Sequence, residues 1–224
     1  MDRQTADTVY TILEGLYPAA RTHHRDESTP FQSLIATILS AQTTDKAVDE
    51  VIGPLMERYP DAASLAAADP ADVEPIIRRT GFFHMKARRI IDAAKVIMKD
   101  FGGAVPDSMD SLLTIPGVGR KTANIVLYHS FGRQEGIAVD THVLRLSGLI
   151  GFSDSRDPGI VEKDLTALFP KKSWGVLTDL LILHGRTICI ARRPKCPACG
   201  IRQYCRFFKE QYRGDDRGNN KSKM

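Results

Sequence analysis

The sequence lacks several features that would each point to a particular class of protein. No stretch approaches the roughly 18 uninterrupted apolar residues that a membrane span needs, and the first residues contain no apolar signal core. No segment shows the sustained two-residue alternation that is typical of half-buried strands. We therefore expect an intracellular, cytoplasmic protein that has no membrane partner and contains little or no sheet.

Cysteine is scarce, and its few positions lie close together. The four cysteines are Cys189, Cys196, Cys199 and Cys205, separated by six, two and five residues. In a reducing compartment such a cluster favours metal ligation over disulfide bonds. The spacing by itself leaves a tetrahedral zinc site and a [4Fe-4S] cluster open, since thiolates serve both.

Charge is distributed unevenly along the chain. Residues 1–110 hold 12 Lys and Arg against 17 Asp and Glu, a net charge of −5. Residues 111–224 hold 19 against 10, a net charge of +9. A polyanion such as nucleic acid would suit this second half, although a solvated basic face explains the charge equally well.

Apolar residues recur at intervals of three and four, which predicts helices. Val9, Ile12, Leu13 and Leu16 are one example of this spacing. We expect an all-α fold of about ten helices. Residues 212–224 are almost entirely polar and predict a flexible tail.

A glycine-containing turn precedes a cluster of polar residues near the middle of the chain. Gly117 and Gly119 lie one residue apart, and Arg120, Lys121 and Thr122 follow. Glycines can adopt positive φ and allow close approach of a ligand, and the N–H groups at the next helix start suit a phosphate. The alternative to a phosphate-binding site is a simple turn between two helices.

The chain resembles the endonuclease III family over residues 10–208. The segment Ile-Pro-Gly-Val-Gly-Arg-Lys-Thr-Ala-Asn resembles the helix-hairpin-helix motif of that family, and Ala-Val-Asp-Thr-His-Val resembles its catalytic aspartate segment. Three further segments are similar to family segments in the family's order: residues 39–45, residues 81–87 and the cysteine array.

The resemblance implies a bilobal, all-α helix-hairpin-helix DNA glycosylase fold with a C-terminal cluster loop. One helical domain would span residues 23–133 and contain the hairpin at about 111–131. The second would combine residues 1–22 with residues 134–211. The resemblance also implies a monomer that acts on damaged double-stranded DNA at the nucleoid, with its active site in the cleft between the domains.

The same resemblance implies that Lys121 is a nucleophile that attacks the sugar C1′, displaces a damaged base and forms a Schiff base. This reaction needs an uncharged amine, whereas a free lysine has a pKa of about 10.4. A position in the first helical turn, beside Arg120, disfavours the ammonium. Asp140 is expected to stabilise the positive charge that develops at C1′. Its alternative role is to cap a helix.

The implied reaction removes oxidised pyrimidines and cleaves abasic sites by β-elimination. The alternatives are a mismatch-specific or monofunctional glycosylase of the same superfamily, and a non-catalytic DNA-binding module. The four cysteines would hold one [4Fe-4S] cluster, as the 6-2-5 spacing does in that family, and its role would be structural.

Several further residues are candidates for contacts with DNA. Gln42 and Phe82 match the two positions at which the family inserts side chains into the duplex, although a helix-end polar residue and a core aromatic are the alternatives. Arg192, Arg193 and Lys195 lie between the first two cysteines and would reach phosphates. A merely solvated loop is the other interpretation of these cations.

Overall fold

The computed structural model describes residues 1–21 and 28–212, and within them the chain forms helices and turns without a strand. The prediction of an all-α fold is confirmed. The described residues form twelve α-helices, whereas the sequence predicted about ten. The predicted domain boundary at residues 22 and 23 lies outside the described residues, as does the predicted tail beyond Tyr212.

The chain divides into two compact units, one continuous and one discontinuous. The continuous unit spans residues 24–135, and the discontinuous unit combines residues 1–23 with residues 136–224. The continuous unit contains seven helices within its described residues: α2 (Pro30–Leu39), α3 (Asp45–Arg58), α4 (Ala62–Ala66), α5 (Pro70–Ile77), α6 (Phe83–Phe101), α7 (Met109–Leu113) and α8 (Arg120–Phe131).

Helix α2 forms the centre of the continuous unit, where it contacts α3, α6 and α8. Its buried apolar residues recur at intervals of three and four and form one face of the helix, on which Leu34, Ile35 and Leu39 are fully buried. The helix begins where Thr29 caps the N–H of Gln32 and Pro30 occupies the first turn. Because α2 is enclosed by its neighbours, the segment that follows Leu39 starts from a rigid support.

The discontinuous unit joins the first helix of the chain to the C-terminal half. Helix α11 contacts both α1 and α9, and the buried residues Val9 and Leu13 of α1 belong to the same apolar core as Leu180 of α11. Its helices are α1 (Arg3–Leu16), α9 (Thr141–Ile150), α10 (Pro158–Leu168), α11 (Trp174–Thr187) and α12 (Arg206–Tyr212).

The loop that carries the four cysteines connects α11 to α12 within this unit. Its N-terminal end is fixed where α11 stops, since the N–H groups of Ile188 and Cys189 both donate to the carbonyl of His184. None of the described helices is both long enough and apolar enough to cross a membrane.

Candidate functional site

Helices α7 and α8 form a hairpin whose connecting turn contains Gly117. The backbone of Gly117 has φ of +85°, a conformation that side chains rarely adopt. A Cβ there would also lie 2.5 Å from Cδ of Arg89, because the arginine stem of α6 packs over the turn. Ile115 and Val118 are buried on either side of this glycine. Both the backbone and its neighbour therefore require glycine at position 117.

Gly119 has a different role in the same turn. Its φ is −98° and ψ is 177°, so Gly117 is the one glycine of the pair that has a positive φ. A Cβ at Gly119 would meet no atom of the described protein within 4 Å. Gly119 is the N-cap of α8 and provides no side chain to cap the helix. This leaves the start of α8 open to an anion, as the sequence predicts.

Lys121 lies in the first turn of α8, which begins at Arg120. Its side chain is exposed, and it has no hydrogen bond or ion pair with residues 1–21 or 28–212. Thr122 follows and is partly buried. The amine is thus accessible to a ligand at the same helix end that offers open N–H groups.

Asp140 belongs to the discontinuous unit, where it is the N-cap of α9. Its Oδ1 accepts a hydrogen bond of 2.7 Å from the N–H of Val143, which confirms the capping role that the sequence offered as an alternative. The second oxygen, Oδ2, accepts no hydrogen bond from the part of the chain that the structure describes. Capping and a chemical role are therefore compatible, since each can use its own oxygen.

Gln42 and Phe82 share an uncommon backbone conformation in the continuous unit. Their φ values are +53° and +47°, and they are the two non-glycine residues with positive φ among those described. Gln42 is exposed, and Phe82 retains 63% of its accessible surface. The alternative interpretation of Phe82 as a core aromatic is therefore wrong.

The four cysteines line one cavity of the discontinuous unit. Apolar residues form most of the remaining wall: Leu149, Ile150, Ile188, Pro194, Ile201, Phe207 and Phe208. Four thiols around one apolar pocket are a suitable donor set for an iron-sulfur cluster. Within the described residues, no three His, Cys, Asp or Glu side chains have the spacing of a single-ion site.

Polar side chains surround the thiols at hydrogen-bond distance. Arg145 of α9 lies 3.7 Å from Sγ of Cys189, and Nε2 of His184 lies 3.5 Å from Sγ of Cys199. Burial raises the pKa of the thiols of Cys189 and Cys199, and Arg145 partly offsets this at Cys189. Burial, together with Arg145, lowers the pKa of His184 to about 4, so its imidazole is neutral.

The cations of the cysteine loop are on its outer side. Arg192, Arg193 and Lys195 are exposed, and none forms an ion pair with a described residue. Their exposure fits both the phosphate-contact and the solvated-loop interpretations of these cations.

Sequence reasoning missed the roles of three residues near these sites: Lys86, Arg89 and His184. Lys86 donates hydrogen bonds to the carbonyl of Leu39 and the hydroxyl of Thr43, and the stem of Arg89 packs over Gly117. Both residues lie in or near the family-like segment at residues 81–87, but these partners are distant in the chain. Four residues separate His184 from the first cysteine, and no spacing rule marks it as a thiol neighbour.

The sequence also matches known proteins. Residues 35–171 match the model of the family described as HhH-GPD superfamily base excision DNA repair protein. The chain is 47% identical to the endonuclease III of Synechocystis sp. over 203 residues, which covers 91% of this chain and 92% of that protein.

Two solved structures of similar fold are complexes of endonuclease III with DNA. A non-covalent endonuclease III–DNA complex matches with a TM-score of 0.88 at 36% identity, covering 95% of this chain and 99% of the other. A trapped endonuclease III–DNA covalent intermediate, an estranged-adenine complex, matches with a TM-score of 0.87 at 35% identity, covering 94% and 99%.

Proposed function

We propose that Lys121 and Asp140 carry the reaction of this chain, which belongs to the endonuclease III family of HhH-GPD base excision DNA repair proteins. Its activity is that of a bifunctional DNA glycosylase and abasic-site lyase, and its partner is DNA. The observation that carries the residue assignment is the exposed amine of Lys121 at the open N-terminus of α8.

The amine of Lys121 attacks C1′ of the damaged nucleotide while the bond from C1′ to the base breaks. The base leaves with the electron pair of that bond, and the sugar opens to a Schiff base with the lysine. Loss of a proton from C2′ then expels the 3′ phosphate by β-elimination, and water releases the enzyme. The attack needs the neutral form of the amine.

Asp140 stabilises the positive charge that develops at C1′ as the base departs. Its support is the cap geometry: the hydrogen bond from Val143 holds Oδ1, and the same bond fixes the direction of Oδ2. A carboxylate that is already positioned needs little reorganisation when the charge develops.

Contacts to DNA complete the proposal. Gly117, Gly119, Arg120 and Thr122 of the hairpin approach one phosphate, and Arg192, Arg193 and Lys195 contact others. Gln42 and Phe82 occupy the space that the extruded nucleotide leaves. The exposure of both side chains supports this role.

Borohydride trapping on duplex DNA that contains thymine glycol tests the nucleophile. The unmodified protein should form a covalent adduct, Lys121→Ala should form none, and Lys95→Ala, which changes an exposed lysine of α6, should match the unmodified protein. An adduct with Lys121→Ala would mean that another amine attacks. Base loss without any adduct would favour the monofunctional alternative, and DNA binding without base loss would favour the non-catalytic module.

The cofactor proposed for the cysteine cavity is one [4Fe-4S] cluster, held by Cys189, Cys196, Cys199 and Cys205. The four thiols and the apolar wall support it. When bound, the cluster supplies a structural cross-link between α11 and α12, because cleavage of a glycosidic bond moves no electrons. The loop between the first two ligands then presents its cations to phosphates.

Metal analysis of anaerobically purified protein distinguishes the two thiolate sites. The cluster predicts a brown protein that contains iron and sulfide and absorbs visible light near the blue, and Cys199→Ser should lose that colour. A colourless protein that contains zinc would contradict the proposal and favour the tetrahedral site.

The lesion class is a further part of the proposed function. We propose oxidised pyrimidines and abasic sites, with chromosomal DNA in the cytoplasm as the location. Release rates for thymine glycol and for mismatched thymine or adenine, measured in the same duplex, test this choice. Faster release of a mismatched normal base would favour the mismatch-specific alternative.

A further inference from the structure

Lys86 of α6 is a buried lysine whose ammonium connects two segments of the continuous unit. It retains 3% of its accessible surface. Its Nζ donates to the carbonyl of Leu39 at 2.9 Å, to Oγ1 of Thr43 at 2.5 Å and to the carbonyl of Thr80 at 2.7 Å. An ammonium has three N–H donors, so these acceptors use all of them.

Two of these acceptors lie on either side of Gln42. Leu39 is the last residue of α2, and Thr43 directly follows Gln42. Lys86 therefore holds both ends of the short segment in which Gln42 has φ of +53°.

The third acceptor lies just before Phe82. Thr80 precedes it by two residues, and the hydroxyl of Thr43 donates to the same Thr80 carbonyl. The backbone N–H of Lys86 also donates to the carbonyl of Phe82 at 3.0 Å, in the first turn of α6. One lysine thus connects the segment of Phe82 to the segment of Gln42.

Both segments contain a conformation that L-residues disfavour. Gln42 and Phe82 are left-handed without being glycine, and such residues persist only where their surroundings over-determine them. The ammonium of Lys86 is part of the surroundings of both residues, because it bonds Leu39 and Thr43 beside Gln42 and Thr80 beside Phe82. Removal of its ammonium would take the side-chain donor from the buried carbonyl of Leu39 and leave the Thr43 hydroxyl and the Thr80 carbonyl only their bond to each other, so both segments could relax.

We propose that Lys86 is a positioning residue that fixes Gln42 and Phe82 in their left-handed conformations, so that both side chains enter the DNA duplex as one wedge. The inference rests on the proposed function, since it requires that these two side chains insert. Lys86 is buried and does not itself contact DNA. It acts through the segments that contain Gln42 and Phe82.

The alternative is a purely structural role, in which loss of Lys86 only destabilises the unit. A double-mutant cycle separates the two. Lys86→Met should slow single-turnover release of thymine glycol from paired duplex by about tenfold, and Gln42→Ala/Phe82→Ala, which removes both inserted side chains, should slow it by at least a similar factor. Adding Lys86→Met to Gln42→Ala/Phe82→Ala should slow release by no more than about twofold further, because the effect of Lys86 acts through the two side chains that are already gone.

The control is Leu65→Ala, which removes a fully buried side chain of α4 in the same unit. At a temperature at which all variants are folded, it should release the base at the unmodified rate. Equal slowing by Leu65→Ala and Lys86→Met at equal stability would overturn the proposal. Rate effects of Lys86→Met and of Gln42→Ala/Phe82→Ala that multiply when the variants are combined would overturn it as well.

Amide hydrogen exchange gives a readout that needs no activity. Lys86→Met should accelerate exchange at residues 41–43 and 81–83, and Leu65→Ala should not. Unchanged exchange there would contradict the role of Lys86, whereas a lack of base release by the unmodified protein would contradict the proposed function alone.

If Lys86→Met does not fold, Thr43→Val removes one acceptor with little change of shape. It should show the same pattern, and normal exchange with normal base release would overturn the proposal.

Discussion

The carboxylate of Asp140 has one oxygen bound to the start of α9, whereas the other accepts no hydrogen bond from the described residues. Its position at a helix start is a consequence of local sequence, because an aspartate before Thr-His-Val-Leu is good capping chemistry. The same bond that begins the helix also orients the carboxylate. At this residue, folding and chemistry depend on different atoms of one side chain.

Substitutions at Asp140 should separate the two functions. Asn caps a helix about as well as Asp, so Asp140→Asn should keep the unfolding free energy within about 0.5 kcal/mol, while Asp140→Ala should lose about 1 kcal/mol. Both should lose base release, because neither keeps the negative charge at C1′. Urea denaturation and single-turnover kinetics measure the two effects. Full base release by Asp140→Asn would show that capping is the whole role.

Asp179 of α11 should make stability depend on pH. Burial raises the pKa of its carboxyl to about 7, above the model-peptide value of 3.8. A raised pKa contributes stability that is fully present below the unfolded-state pKa and is lost as pH rises through the folded-state value. Between pH 5 and pH 8 this loss amounts to about 3 kcal/mol.

Asp179→Asn should abolish that loss, so its melting temperature should exceed that of the unmodified protein more at pH 8 than at pH 5. Calorimetry at the two pH values checks this. Asp7→Asn, at an exposed position of α1, is the control and should shift both melting temperatures equally. An equal shift for Asp179→Asn would mean that the carboxyl is ionised in the folded protein at both pH values.

Helix starts and turns are the elements that present the proposed chemistry. The hairpin of α7 and α8 uses its two glycines differently, one for backbone conformation and one for open space. Gly117 is enclosed by Arg89, whereas Gly119 faces no described protein atom. A matched pair of alanine substitutions can therefore separate folding of the turn from access to it.

Gly117→Ala should lower both the stability and the affinity for DNA, because alanine at φ of +85° costs about 1–2 kcal/mol and would contact Arg89. Gly119→Ala should keep the melting temperature but bind DNA more weakly, since its methyl group would occupy the space that a phosphate needs. Fluorescence anisotropy with an abasic-site duplex measures the affinity. Normal binding by Gly119→Ala would mean that DNA does not approach this glycine.

The sequence predicted these elements better than it predicted their connections. Periodicity and capping residues identified the helices, and the Asp140 cap followed from its neighbours. The left-handed conformations of Gln42 and Phe82 had no sequence signal, because non-glycine residues rarely adopt them. The role of Lys86 could not be predicted from the sequence either, since two of its three acceptors are backbone carbonyls, which every residue has.

At the scale of the whole molecule, the uneven charge of the chain should determine how DNA binding responds to salt. Each cation that contacts a phosphate adds about 0.9 to the slope of log affinity against log salt concentration. Replacing Arg192 and Arg193 together by alanine should therefore reduce that slope by about 2. Replacing Lys95 and Lys163 together by alanine removes the same two positive charges from exposed positions on other helices. This replacement should reduce the slope much less. Equal reductions would mean that the cysteine loop has no special contact with phosphates.

The discontinuous unit has a consequence for synthesis on the ribosome. Helix α1 emerges long before most of the residues that cover Ala6, Val9 and Leu13, because these residues follow Gly136 and α9 begins only at Thr141. At roughly 5–20 residues per second, α1 remains uncovered for on the order of ten seconds while the continuous unit is translated and can already fold. The apolar stripe of α1 is therefore the part of the nascent chain that most needs a chaperone.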